Sequence, residues 1–241
     1  MSQYTEHNPD FLHHQHSPAY LYGREIVFGM QDGMVSVLGA LTGIAVGSND
    51  HFVVLLSGFS IICTASLSMA IGTYNSISTE KKIEKRILEE ERDEIEKSPV
   101  EEKREIEEMF LRDGWPESMT QKMAECAALD NDLMLREMAY RELSISQKQT
   151  TDPIKKSIVM FFAWAGGGLV PLFPYFFLSV TTGIWVSIGC AAAGLFVLGS
   201  VMSKFTKQKI INAGMEMVFL GGAAIIVGYL IGYVADSFIQ H

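Results

Sequence analysis

Between Glu80 and Asp152 the chain holds 21 of its 28 Asp and Glu residues, and several sit where a solvated helix would not put them. At 100° per residue, Ile83, Ile87, Glu91 and Glu94 fall within an arc of about 80°. Further on, Glu102, Glu105, Ile106 and Met109 share an arc of about 100°, and Leu135, Met138 and Glu142 one of about 60°. Burying the apolar residues of each arc would carry the five glutamates inward. A buried carboxylate must be protonated, paired or bound to a metal. A charge run is commonly a solvated face, and Glu101, Glu107 and Glu108 read that way. The repetition on three helices favours a metal. Carboxylates with a thioether suit ferrous iron, manganese or zinc. Calcium would want an Asp-rich loop with a Gly turn. No His lies between Glu80 and Asp152, so the Glu-x-x-His pairs of a di-iron bundle are absent.

A second set of polar groups lies in apolar surroundings. Asp32 stands six residues inside a long apolar run, where a central Asp costs roughly 2.5–3.5 kcal/mol on insertion scales. Glu25 precedes it by seven residues, about 20° away on the same helical face. Met30 and Met34 flank Asp32, and Met69 lies in the next run; a lone Met there is usually core filler, and Met69 matters only if it faces Asp32. Glu216 near the start of the last run either lines a path or snorkels to the interface, the latter favoured.

The elements that must position these groups are helices in two environments. The chain has 241 residues, 48% hydrophobic, with mean hydropathy +0.18 and net charge −9. Most of that charge comes from the acidic stretch, which suits a cation and repels nucleic acid. Five apolar runs, about 26–46, 52–74, 158–180, 184–202 and 213–235, are long enough to cross a bilayer as helices, which takes roughly 20 residues. The chain therefore reads as all-α and polytopic. Its expected divisions are a polar, His-rich tail (1–22), two membrane helices (23–76), an acidic helical metal-binding arm (77–152) and three membrane helices (153–241). Lys204, Lys207 and Lys209 cluster between the last two runs, while the 47–51 loop holds only Asp50. The positive-inside rule then puts the N-terminus and the arm in the cytosol. No cleavable signal peptide is visible. Cys63, Cys126 and Cys190 are widely spaced and read as buried free thiols. The cluster His7, His13, His14 and His16 reads as part of a disordered tail.

Within the arm, no Gly or Pro occurs between Thr73 and Ser98, so the second membrane helix should run on for about 24 residues, roughly 36 Å. Ser98-Pro99-Val100-Glu101 reads as a helix start, Gly114-Trp115-Pro116 as its stop, and helices are expected over 117–128 and, capped by Asp130, 131–145. In the membrane, Gly29/Gly33, Gly39/Gly43 and Gly228/Gly232 fit close helix packing or, for the first helix, a subunit interface. Pro171 and Pro174 should kink the third run beside Gly166-Gly167-Gly168.

These residues resemble the vacuolar iron transporter family over nearly all of the chain after residue 22. The likeness rests on Arg24-Glu25-Ile26-Val27-Phe28-Gly29-Met30-Gln31-Asp32-Gly33, then Ser68-Met69-Ala70-Ile71-Gly72-Thr73-Tyr74. Later come Pro171-Leu172-Phe173-Pro174-Tyr175, Gly221-Gly222-Ala223-Ala224 and Tyr229-Leu230-Ile231-Gly232. The resemblance implies a homodimer of five-helix subunits and export of ferrous iron or related divalent ions in exchange for protons. It implies metal ligands Glu91, Glu94, Glu102, Glu105, Met138 and Glu142, and pathway residues Glu25, Asp32 and Met69. It also implies a multi-pass protein of a bacterial or archaeal cytoplasmic membrane, or of a vacuolar one in a eukaryote. Two positions depart from the pattern. Thr73 replaces the usual Glu of a Gly-Glu-Tyr step, which bears on proton coupling or ion affinity. Ala139 replaces a second Met of the arm, which bears on soft-metal preference.

The alternative in another class is a membrane-tethered metal sensor or store that moves nothing. An enzyme is disfavoured: the last three runs hold no His and no recognisable nucleophile–base pair.

Overall fold

The computed structural model describes the backbone of residues 18–142, 152–206 and 208–239, with most of their side chains. The His cluster and the 143–145 end of the expected last arm helix lie outside the described residues. Described elements are all helical: α1 (Pro18–Ser48), α2 (His51–Lys97), α3 (Pro99–Arg112), α4 (Glu117–Ala127), α5 (Asn131–Arg141), α6 (Pro153–Leu172), a 3-10 turn (Phe173–Phe176), α7 (Val180–Thr206) and α8 (Ile210–Ile239). Four of the described helices, α1, α2, α6 with its 3-10 extension, and α7, are long and apolar enough to cross a membrane. The chain divides into two compact units, one of residues 1–73 and 154–241, the other of residues 74–153.

The first unit is organised by α1. It packs against α7 and α8 and crosses α6 almost backbone to backbone. A Cβ on Gly33 would lie 2.3 Å from the Trp164 carbonyl oxygen, and one on Gly167 would lie 2.3 Å from that of Met30. Only glycine permits that approach. One glycine pair of the first run thus serves packing within the chain, since Gly29 also faces Met160 and Ala163. Val37, Leu41, Val54, Ile62, Trp164, Leu172 and Tyr175 form the buried core here. Met34 is buried against Leu195 and Leu198, with Met30 beside it, so both are core filler.

The third run ends earlier than its composition suggests. Helix α6 stops at Leu172 and tightens into the 3-10 turn. Pro171 and Pro174 lack the N–H groups that an α-helix would use there, so the segment turns instead of continuing to 180. The thiols are free but not buried: Cys63 and Cys126 are exposed and Cys190 is half-buried. Cys63 stands four residues from Phe59 and from Leu67, both exposed, on an outward apolar face of α2. Glu216 is exposed on α8.

The second unit takes the last part of α2 together with α3, α4 and α5. Helix α2 is continuous for 47 residues, about 70 Å at 1.5 Å per residue. Helix α3 begins at Pro99 without a side-chain cap from Ser98. It ends at Gly114, whose φ of +92° suits glycine; there Gly114 N–H donates to Leu111 O and Trp115 N–H to Phe110 O, closing a Schellman turn. Asp130 caps α5 by accepting from the N–H groups of Asp132 and Leu133. Ile95, Ile106, Met109, Phe110, Ala124, Ala127, Met134 and Met138 make a separate apolar core.

Gly167→Ala should destabilise the first unit by about 1–3 kcal/mol, because a methyl must displace backbone. Gly166→Ala, which meets nothing within 4 Å, should leave it unchanged or slightly stabler. Thermal unfolding of the detergent-solubilised protein separates the two, and equal melting would contradict the close crossing.

Candidate metal site

The arm's core positions the acidic residues. Glu102, Ile106 and Met109 are buried together on α3, and Met138 is fully buried on α5. On α2 the inward residues are Glu91 and Ile95 rather than Ile83, which is 48% exposed. The apolar arc is there, but the core that covers it begins only at Glu91. Of the five glutamates expected to turn inward, two do: Glu91 and Glu102 are 6% and 7% exposed. Glu94, Glu105 and Glu142 are exposed: the last belongs to the cap of α5, Glu105 lies at the edge of its arc, and Glu94 lies about 60° from Glu91 and about 100° from Ile95, the residues of α2 that are buried.

All five nevertheless share one electrostatic neighbourhood. Burial pushes the Glu91 carboxyl up to about 7, and the charges of Glu142, Glu102, Glu94 and Glu105 add to the rise. Glu102 is raised first by burial, then by Glu105, Glu94 and Glu142. The carboxyl of Glu142 is raised by partial burial and by Glu105 and Glu94. Carboxylates from three helices therefore lie close enough to raise one another.

Several cations of the second unit pair with other carboxylates. Arg92 pairs with Asp132, Lys103 with Glu125, Arg104 with Glu108, and Arg141 with Asp113 and Glu137. Arg141 also lies 4.4 Å over the Phe110 ring, tying α5 to α3. Among the described residues no Lys, Arg or His pairs with Glu91, Glu94, Glu102, Glu105 or Glu142. One oxygen of Glu91, Oε1, is buried without a hydrogen-bond partner. Among the described residues, no three His, Cys, Asp or Glu already converge closely enough to hold an ion. The arrangement is thus a shared negative field with one unsatisfied buried acceptor and three exposed glutamates that have the rotamer freedom to close on a cation. A divalent ion fits that donor set, with Met138 offering a thioether from the same core.

Within the first unit, Glu25 is buried and accepts an ion pair from Lys156 Nζ at 3.1 Å through Oε1, while Oε2 has no partner. Asp32 is half-buried. Trp164 Nε1–H donates to its Oδ2 at 2.6 Å, and Ser36 Oγ–H to its Oδ1 at 3.1 Å. Met69 is partly buried against the core that contains Trp164. Thr73 Oγ1–H donates to the Met69 carbonyl at 2.8 Å, so its hydroxyl is turned back on its own helix. Lys156 and Trp164 were not singled out from the sequence. A signal existed for Trp164, since an indole N–H inside an apolar run needs a partner; nothing local tied it to Asp32, 132 residues away.

The profile of the VIT family matches residues 23–233. A vacuolar iron transporter of Plasmodium falciparum is 26% identical over 224 residues, covering 89% of this chain and 82% of the relative. That of Plasmodium berghei is 28% identical, covering 94% and 86%. Vacuolar iron transporter 1 of Tulipa gesneriana is 23% identical, covering 89% and 87%.

Because the folded arm holds a proton on Glu91 that the unfolded chain would release above 4.5, its stability should fall as pH rises from 4.5 to about 7 and level off beyond. Amide-exchange protection of α3 and α5 in the whole protein, corrected for intrinsic rates, should track that fall. Saturating manganous ion should flatten it. Glu91→Gln should raise metal-free protection at about pH 8 and weaken ion binding about tenfold, or about 1.4 kcal/mol. Protection independent of pH and metal would contradict the shared field.

Proposed function

The chain belongs to the VIT family, and from that premise we propose that it exports ferrous iron, manganese or zinc from the cytosol across a membrane in exchange for protons. The observation that carries this reading is the set of five glutamates that lie in one another's field with no cation paired to them among the described residues. The names of the relatives, vacuolar iron transporters, support iron as the cargo.

In this reading α8, 30 residues long, is the fifth crossing, and the N-terminus and the arm are cytosolic. Two copies assemble as a homodimer. Glu91, Glu94, Glu102, Glu105, Glu142 and Met138 collect divalent ions and raise their supply to the membrane unit. Glu25 takes the ion at the entrance, where Lys156 holds its charge in the ion's absence. Asp32 and Met69 bind it midway: the carboxylate supplies charge and the thioether favours borderline metals over magnesium and calcium. Protons from the far side neutralise the carboxylates and release the ion. Thr73 adds no charge to this path.

Vesicles containing the purified protein should take up ferrous iron when a proton gradient is imposed and stop when it is collapsed. Asp32→Asn should lower the rate at least about tenfold, since the charge that offsets the ion's desolvation is gone. Uptake by Asp32→Asn equal to wild type would defeat the role of Asp32. Ion binding with no flux in wild type would replace this reading with that of a tethered sensor or store.

A further inference from the structure

The buried indole of Trp164 is a large polar commitment in an apolar core. The residue is 2% exposed, and its indole N–H donates to a single acceptor, Asp32 Oδ2, at 2.6 Å. The approach is fixed by backbone. The Trp164 carbonyl oxygen lies against Gly33, the residue after Asp32, where a Cβ would come within 2.3 Å. Gly29, one turn earlier, sits 3.2 Å from the Trp164 backbone nitrogen by the same measure. Donor and acceptor are therefore held by rigid neighbours on α6 and α1, not by mobile side chains. The second oxygen of Asp32 takes only the weaker, longer bond from Ser36 at 3.1 Å, whose hydroxyl can rotate to another acceptor.

We propose that Trp164 is a positioning residue that makes Asp32 a one-oxygen ligand: it occupies Oδ2 and leaves Oδ1 for the travelling cation. This inference rests on the proposed place of Asp32 in the ion path. A carboxylate can hold a divalent ion through one oxygen or both. A site in a transport path must bind well enough to receive the ion and weakly enough to let it leave. An indole donor fixed on one oxygen sets that compromise. It draws part of the carboxylate's charge into a charge-assisted hydrogen bond and, by taking one of the lone-pair sites of Oδ2, disfavours the two-oxygen chelate. Without the N–H, both oxygens face the ion, which stays longer.

The variant that tests the hydrogen bond without disturbing the packing is Trp164→β-(3-benzothienyl)alanine, a ring of the same shape with sulfur in place of N–H. Vesicle uptake of ferrous iron by this variant should show an apparent KM lower by about threefold or more, with Vmax lower by a similar factor, the pattern of an ion held too tightly. Trp164→Phe, if it folds, should show the same direction. A merely structural role would lower Vmax with KM unchanged or raised. A second readout uses Trp164 as reporter after replacing the two exposed tryptophans, Trp115 and Trp185, by Phe. Manganous ion should quench its emission saturably, and Asp32→Asn should remove that quenching. Wild-type KM and Vmax in the benzothienyl variant, a raised KM, or quenching independent of Asp32 would overturn the role of Trp164. Should Asp32→Asn transport like wild type, the underlying pathway assignment fails and takes this inference with it. If instead Asp32→Asn is inactive while the benzothienyl variant matches wild type, only the role of Trp164 falls.

Discussion

A carboxylate removed from water must be compensated, and the way each buried one is compensated here organises the molecule. Three solutions coexist. Glu25 is held by an ammonium, Lys156. Asp32 is held by two neutral donors, Trp164 and Ser36. Glu91 and Glu102 are held by nothing that the described residues supply except more carboxylates, which raises rather than lowers their cost. The second gives each carboxylate oxygen a donor, and the first neutralises the charge of Glu25 while leaving its Oε2 without a partner. The third leaves room for a charge from outside, and that is the physical ground for reading the arm as a cation collector.

The same ordering explains where the apolar cores sit. In the arm, Ile95, Ile106, Met109, Phe110, Met134 and Met138 form a core that carries Glu91 and Glu102 into low dielectric. Arg141, stacked on Phe110 and paired with Asp113 and Glu137, fastens α5 without neutralising the glutamates. In the membrane unit the glycines of α1 and α6 bring two backbones together, and that closeness places an indole on Asp32. Packing comes first, and the polar geometry follows from it.

Much of this was legible in the sequence where the signal is local. The unbroken α2 follows from the lack of Gly and Pro after Thr73, the end of α3 from Gly114, and the start of α5 from Asp130. Helical spacing foretold that Glu102 shares a face with Ile106 and Met109. It overreached on α2, because periodicity says which residues share a face but not how far along the helix a partner covers it; Ile83 lies beyond the cover. It also treated the five glutamates alike, although Glu94, Glu105 and Glu142 stay at the exposed rim. Run length placed the end of the third span too late, since Pro171 and Pro174 are apolar yet break the helix. The contacts of Lys156 with Glu25 and Trp164 with Asp32 join distant parts of the chain, and no local pattern encodes them.

The most direct test of the central claim counts protons. At about pH 6.5, where Glu91 retains a proton in the ion-free arm, adding manganous ion to the purified protein should release protons in proportion to ion bound, with the release fading by about pH 9. Glu91→Gln should reduce the release. Stoichiometric binding with no proton release near neutrality, or no binding at all, would contradict the account.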